Sequence, residues 1–374
     1  MNTKQPPRLA FLLLMLSLTF HLEGQVKSAD CWPSFRGDAQ LTGTSPATIS
    51  QLHLLWSFKT GDAIKSSAVI GGGRIYIGSG DGYIYALSFD GRLIWKYNTG
   101  TSVEAPPLLL NQTIFAGSMA GTLFALDAST GALKWKYNTD GQISGAANFW
   151  VLQDKKQTLI LVGSYDYNLH AVNMKTGKGV WKCETGNYIN GCPSVGNNLV
   201  IFGGCDGLLH LAGTKDGKEK AHIDLGTYIP ASAAILGTKA FCGNYDGTFY
   251  CVDLIAKKVL WKTEGGGPFL ASPAVGSGKV VTGSQNKQIV CFDAVKGTVL
   301  WKVKTLGKAD ASPVIAGNNV VVASADGRLQ VLDLLTGTVK LSYEVGSAIY
   351  STPAVVAGLV VVGAQDGKIY AFGN

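Results

Sequence analysis

Hydrophobic and polar positions along the chain follow a cycle of about 40 residues. Each cycle opens on a small, Ser- and Pro-rich run, as in Ser66-Ser67-Ala68-Val69, Ala105-Pro106-Pro107-Leu108, Ala271-Ser272-Pro273-Ala274, Ala311-Ser312-Pro313-Val314 and Ser351-Thr352-Pro353-Ala354. A β-branched run follows, as in Arg74 to Ser79, Asn319 to Ser324 and Leu359 to Ala364. It ends in a turn that carries Asp81-Gly82, Asp206-Gly207, Asp246-Gly247, Asp326-Gly327 or Asp366-Gly367. Asp-Gly between two apolar runs predicts a tight hairpin, because Gly tolerates the positive φ that the turn demands. The third run is apolar on consecutive positions, as in Ile84 to Leu87, Leu123 to Leu126 and Phe249 to Val252. A polar turn such as Thr130-Gly131, Thr176-Gly177 or Thr336-Gly337 then leads to a fourth run that holds a tryptophan.

The tryptophans set the period. Trp56, Trp95, Trp135, Trp181, Trp261 and Trp301 occupy one position of the cycle, and Ala221 and Leu341 hold the same position without the indole. The spacings are 39, 40, 46, 40, 40, 40 and 40 residues. Each unit therefore predicts four strands of about five residues. No stretch sustains a 3.6-residue period with caps, so helices are expected to be nearly absent. Middle strands without alternation are covered on both faces, as when small sheets stack around an axis. The reading is all-β: an eight-bladed β-propeller of four-stranded antiparallel blades.

The order of elements predicts how the ring closes. The first element is a Trp-type strand, Leu54 to Phe58, and the last is a third strand, Lys368 to Phe372. The counts match only if the N-terminal strand completes the last blade, which also removes free sheet edges. The 46-residue unit predicts a lengthened first hairpin, Trp150 to Lys156, projecting from one end of the ring.

The stretch Ala125-Leu126-Asp127-Ala128-Ser129-Thr130-Gly131-Ala132-Leu133-Lys134-Trp135 resembles the tryptophan-docking repeat of pyrroloquinoline-quinone (PQQ) propellers, with Cys251-Val252-Asp253 before Trp261 and Cys291-Phe292-Asp293 before Trp301 as variants. The resemblance covers about residues 50 to 374. It implies that each Trp docks between neighbouring blades, a structural role. The chain is similar to quinoprotein dehydrogenases in its repeat, but is shorter and lacks their adjacent Cys-Cys pair and long insertions. It is similar to BamB-type outer-membrane assembly lipoproteins in length and in its eight bare blades. A lipobox places a small residue before its Cys, and here Asp30 precedes Cys31. The segment Trp32-Pro33-Ser34-Phe35-Arg36-Gly37-Asp38 resembles the opening of exported bacterial PQQ-repeat proteins.

Composition agrees with short strands and tight turns: 46% of the 374 residues are hydrophobic, 15% are charged and 48 are glycine. Lys4 and Arg8 precede the twelve-residue apolar run Leu9 to Phe20, which reads as an export signal ending near Ser28 or Ala29, with a short membrane anchor as the other reading. The division expected is a signal over 1–29, an N-terminal extension over 30–50 and the propeller over 51–374, in a periplasmic or secreted protein with no transmembrane span in the mature chain. The net charge of +7 comes without a basic run, so nucleic acid is not an expected partner. The seven cysteines form no CxxC, and the histidines have no zinc-ligand spacing. Cys242 and Cys251 flank the Asp246-Gly247 turn. A two-residue turn would place them directly opposite each other, within reach of a disulfide, whereas a four-residue loop would set Cys242 against Phe249 and leave plain core thiols.

No nucleophile, phosphate-loop, metalloprotease or EF-hand motif occurs. One position recurs just before the first strand of each blade, in order Lys65, Glu104, Ser144, Asn190, Pro230, Leu270, Asp310 and Tyr350. In equivalent blades these eight form a ring at one mouth of the central channel. In quinoprotein dehydrogenases Glu, Asn and Asp grip the quinone and Ca²⁺ near this place. Glu104, Asn190 and Asp310 are the matching types, but they stand in the second, fourth and seventh blades, too far apart for one ion. The candidate ligand-binding residues are Lys65, Glu104, Asn190, Asp310 and Tyr350. No catalytic residue, metal or cofactor is expected. The function expected is non-enzymatic binding or scaffolding outside the cytoplasm, with a protein or cell-envelope component as partner. A PQQ- and Ca²⁺-dependent redox enzyme is one alternative, and carbohydrate binding through Tyr188, Tyr228 and Tyr350 is another.

Overall fold

A computed structural model of the chain describes residues 29–152 and 156–373. The export signal read over 1–29 thus lies outside the described residues except for Ala29, as does the tip of the lengthened hairpin. Among the described residues are eight sheets, each with four strands in antiparallel meander order; one gains a fifth, two-residue strand. Blades 1 to 7 span 69–98, 108–138, 148–184, 194–224, 234–264, 274–304 and 314–344. Blade 8 joins 354–373 to the N-terminal strand His53–Lys59, with Trp56 opposite Ala371 and Lys59 opposite Lys368. The closure expected from the order of elements is therefore the one that forms.

Hydrophobic patterning explains the layers. The first three strands of a blade are buried almost throughout, because neighbouring blades cover both faces. The fourth strand, as in Leu133–Asn138, alternates exposed and half-buried positions and forms the outer wall. The lengthened hairpin is present as Asn148–Leu152 paired with Gln157–Gly163, where other blades use three residues against five or six.

Adjacent blades are tied at two radii. At the outer radius, the indole N–H of each Trp donates to a backbone carbonyl in the next blade's polar turn: Trp56 to Phe89 (2.7 Å), Trp95 to Ala128 (3.1 Å), Trp135 to Met174 (3.0 Å), Trp261 to Ala294 (3.3 Å) and Trp301 to Leu334 (3.1 Å). Trp181 stacks in the same way without that bond. The glycine of the turn lies flat beneath the ring. A Cβ on Gly131 would fall 2.7 Å from Trp95, and Gly131 also has a φ of +74°. Near the channel axis, the serines of four blades offer a hydroxyl to a neighbouring blade. The N–H of Cys192 donates to Ser232 Oγ (2.8 Å), that of Ser232 to Ser272 Oγ (3.0 Å), that of Ser272 to Ser312 Oγ (2.9 Å) and that of Thr352 to Ser67 Oγ (2.8 Å). This is why the run is rich in serine: a buried N–H facing the next blade needs an acceptor, and a short hydroxyl supplies one.

The segment read as an N-terminal extension is built into the ring. It runs across one end of the channel and bonds to every blade. Trp32 and Ile70 exchange two N–H···O bonds of 2.8 Å. The N–H groups of Leu109, Val195, Ile235, Val275 and Ile315 donate to the carbonyls of Pro33, Ala39, Gln40, Thr42 and Gly43. Asn148 donates to Ala39 from blade 3, and Ala357 to Ala29 from blade 8. Arg36 is wholly buried in this plug, and burial lowers its pKa to about 9. Gly43, at a φ of +63°, makes room for it, since a Cβ there would lie 1.9 Å from Arg36 Nη2.

The cysteine pair follows neither expected register. Cys242 stands opposite Tyr250, and Cys251 opposite Phe241. Asn244 donates to Thr248 and Gly247 donates to Asn244, so the loop is Tyr245-Asp246-Gly247, three residues with Gly at positive φ. The shift of one residue sends the two thiols into different inter-blade cores, and all seven cysteines are free.

Two outcomes follow from this packing. Trp95→Ala should destabilise the protein by about 3–5 kcal/mol in denaturant unfolding, the cost of truncating a buried large aromatic. Gly131→Ala should be destabilising at the same interface although it adds a single methyl; a neutral Gly131→Ala would mean that the Trp–turn contact is loose. Deleting 51–60 removes the fourth strand of blade 8 and exposes a sheet edge, so aggregation is expected in sedimentation. A monomeric deletion with unchanged melting would show that the strand is dispensable.

Candidate functional site

Each first strand runs from one face of the ring, the mouth, toward the plugged face. The eight positions Lys65, Glu104, Ser144, Asn190, Pro230, Leu270, Asp310 and Tyr350 come together at the mouth around one cavity of about 380 Å³. A second layer beneath them includes Ser67, Cys192, Ser232, Ser272, Ser312 and Thr352, the residues that tie the blades together, and Phe35 of the plug lies among the lining residues as the floor. The cavity is therefore a cup rather than a through-channel.

Its polar groups fall into two sets. Lys65 Nζ is paired with Glu104 Oε1 at 2.8 Å, with the lysine side chain half exposed. Elsewhere on the ring, in blades 7 and 4, Asp310 Oδ2 accepts from Gln285 Nε2 at 3.2 Å, and Asn190 Nδ2 donates to Cys205 Sγ at 3.0 Å. Asp310 Oδ1 and Asn190 Oδ1 are buried with no protein partner, as is Ser144 Oγ. Burial raises the pKa of Asp310, outweighing the bond from Gln285 and the charge of Lys308. Among the described residues no three His, Cys, Asp or Glu side chains gather as a metal-ligand group.

The rim carries tyrosines that only partly figure in the sequence reading. Tyr188 and Tyr228, two residues before Asn190 and Pro230, lie on the loops that enter blades 4 and 5. Tyr165 and Tyr188 are stacked at 4.7 Å, with Tyr167 tilted against Tyr188 at 5.1 Å. Tyr228 stacks on Tyr245 at 4.3 Å. Tyr165, Tyr167 and Tyr245 belong to the turns between second and third strands, and nothing in the period says that such turns meet the entry loops. Tyr350 stands apart, across the cup at blade 8.

Two buried histidines mark another departure from the repeat. Asp81 and Asp366 accept from Tyr85 and Tyr370 hydroxyls four residues on. In blades 3 and 4 histidine takes the tyrosine's place, His170 against Asp166 and His210 against Asp206. They replace a strut of the hairpin and do not face the cup.

The raised pKa of Asp310 gives a test of its setting. A carboxyl held above its ordinary 3.8 is stabilised by protonation, so its ionised form costs stability at neutral pH. Asp310→Asn should raise the melting temperature at pH 7, and the gap from the native chain should close as pH falls below about 4, where the carboxyl is protonated in both states. A melting temperature that falls at pH 7 would show Asp310 to be a structural anchor.

Comparison with known proteins agrees with the architecture. A family model described as outer membrane protein assembly factor BamB matches residues 53–263 and 245–373. Among solved structures, the chain is similar to BamB from Moraxella catarrhalis at 18% identity and a TM-score of 0.72, covering 87% of this chain and 100% of that one. It is similar to quinohemoprotein alcohol dehydrogenase from Comamonas testosteroni at 15% identity and a TM-score of 0.78, over 92% of this chain and 80% of that one. The computationally designed Ika8 protein is similar at 19% identity and a TM-score of 0.76, over 86% and 99%. At such identities these structures share the fold. No curated protein sequence matches the chain.

Proposed function

The chain belongs to the family whose model is described as outer membrane protein assembly factor BamB, and from that premise we propose that it is a non-enzymatic binding and scaffolding propeller of the cell envelope, periplasmic or secreted, that takes its partner at the mouth face. The observation that carries this reading is the donor set of the cup. Nucleophilic and acid–base catalysis hold their groups within hydrogen-bond reach of one another. Here the one lysine of the ring is paired with Glu104, and Asp310 stands two blades from that lysine with an amide as its neighbour. Rigid blades with a closed floor present loops and side chains without requiring a reaction. No helix among the described residues is long and apolar enough to cross a membrane.

The redox alternative is disfavoured on the same donors. PQQ is a planar tricarboxylate, and its Ca²⁺ takes six to eight oxygen ligands. The ring offers one cation, already paired, and its acidic and amide oxygens do not converge. The carboxylates of the Asp-Gly turns on the same face are mostly taken up within their own hairpins, Asp81 by Tyr85, Asp206 by His210, Asp326 by Arg328 and Asp366 by Lys368. The residues present do not fit the cofactor. Titration of the purified chain with PQQ and Ca²⁺, followed by absorbance and by dye-linked oxidation of alcohols and sugars, is expected to show neither stoichiometric binding nor turnover. A bound quinone with turnover would replace this reading with the enzymatic one.

A further inference from the structure

Resting on the reading of the mouth as a binding face, we infer that the cup and its tyrosine rim form a carbohydrate site for an uncharged oligosaccharide. Three independent features meet there. The first is unsatisfied polarity: Asp310 Oδ1, Asn190 Oδ1 and Ser144 Oγ are buried without protein partners around one cavity. Buried acceptors are normally paired, and each unpaired one is costly. Two of the three are pure acceptors and the third is a hydroxyl; all three oxygens are covered, so a ligand reaches them only as the side chains turn into the cup, and the ligand that matches them brings several O–H or amide N–H donors. A sugar presents such donors around its edge.

The second feature is the rim. Tyr167, Tyr188 and Tyr245 are 41%, 41% and 39% exposed although each is stacked on or tilted against another tyrosine. The clusters of Tyr165, Tyr167 and Tyr188 and of Tyr228 and Tyr245 span blades 3 to 5, and Cys205 ties the first of them to the ring: its N–H donates to Tyr188 O and its thiol accepts from Asn190. Prestacked phenols lose little side-chain freedom when a ligand covers them. Their π faces carry negative potential, which suits the weakly positive C–H face of a pyranose ring. Each ring also ends in a hydroxyl at the water boundary. Neither cluster is part of the cavity lining, where Tyr350 is the tyrosine present, so an oligosaccharide would seat one end in the polar cup and lay its next units outward over the tyrosines of the entry loops and turns.

The third feature is charge. Lys65, the one cation of the ring, is held by Glu104, which leaves the ring no unpaired cation for uronates, sulfated glycans and other anions and favours uncharged sugars. The cup volume of about 380 Å³ lies at the small end of ligand pockets and suits one or two sugar units.

Isothermal titration with cellotetraose, maltotetraose and chitotetraose, with tetragalacturonate as the anionic counterpart, tests this on the full mature chain. At least one uncharged oligosaccharide is expected to bind, and tetragalacturonate to bind no tighter than its neutral counterparts. Tyr228→Ala and Tyr188→Ala should each weaken binding about tenfold, the loss of one aromatic contact, and Asp310→Asn should weaken it while the protein melts no lower than the native chain. The inference is overturned if no uncharged oligosaccharide binds, if tetragalacturonate binds best, or if binding survives Tyr188→Ala, Tyr228→Ala and Asp310→Asn alike. A protein cross-linked at the mouth with no sugar bound would overturn the inference but keep the binding reading, whereas a bound, turning-over quinone would remove both.

Discussion

The ring depends on one contact: a tryptophan on the outer strand of one blade, laid over the glycine of the next blade's turn. A single blade of about 30 to 40 residues has too small a core to be stable alone, and each buries its faces only by stacking on two neighbours. The indole supplies area and a hydrogen bond to the turn carbonyl, and the glycine lets the backbone come close enough to receive both. The two exceptions support the point. Ala221 faces the turn of blade 5, where Lys257 replaces the glycine. Leu341 faces blade 8, where no turn exists because the fourth strand arrives from the N-terminus. Where the ring is missing, its seat is missing too.

A ring built only on that contact would be a tube. The plug makes it a cup, and it does so almost entirely through backbone bonds to first strands whose inner edges would otherwise lack partners. Phe35 then supplies an apolar floor, while the serine layer that ties blade to blade lines the wall. Site and scaffold therefore share residues. Ser232, Ser272 and Ser312 are already acceptors for the neighbouring N–H groups, which leaves ligand chemistry to the ring above them.

Much of this was readable from the residues. The repeat fixes the strand count, the blade order and the closing strand, because each depends on a pattern that occurs eight times. The same register places Lys65, Glu104, Asn190, Asp310 and Tyr350 at equivalent positions, and all five line the cup. What was not readable lies outside the period. The path of the plug is set by main-chain bonds that side-chain types do not announce. The Cys242–Cys251 register depends on the length of the loop around Asp246-Gly247, and the three-residue loop that forms, with Gly247 at positive φ, differs by a single residue from each of the two- and four-residue loops that the sequence allows. Tyr188 and Tyr228 stood out as exposed aromatics, but their stacking partners come from turns 17 to 23 residues away in the chain that only the folded ring brings alongside.

The division of labour explains how such a scaffold can carry a site at all. Its stability resides between blades, in apolar cores and in Trp–turn contacts remote from the axis. The eight mouth positions contribute little to that interface, so the fold tolerates proline and leucine there as readily as aspartate and lysine. It also tolerates a carboxylate whose burial costs stability, as at Asp310. A residue that weakens the protein, in a place where an apolar one stands in the blade beside it at Leu270, is not explained by folding. A ligand or water that donates to the unpaired oxygen would offset that cost, which is why the carboxylate belongs to the question of what binds at the mouth and the leucine does not.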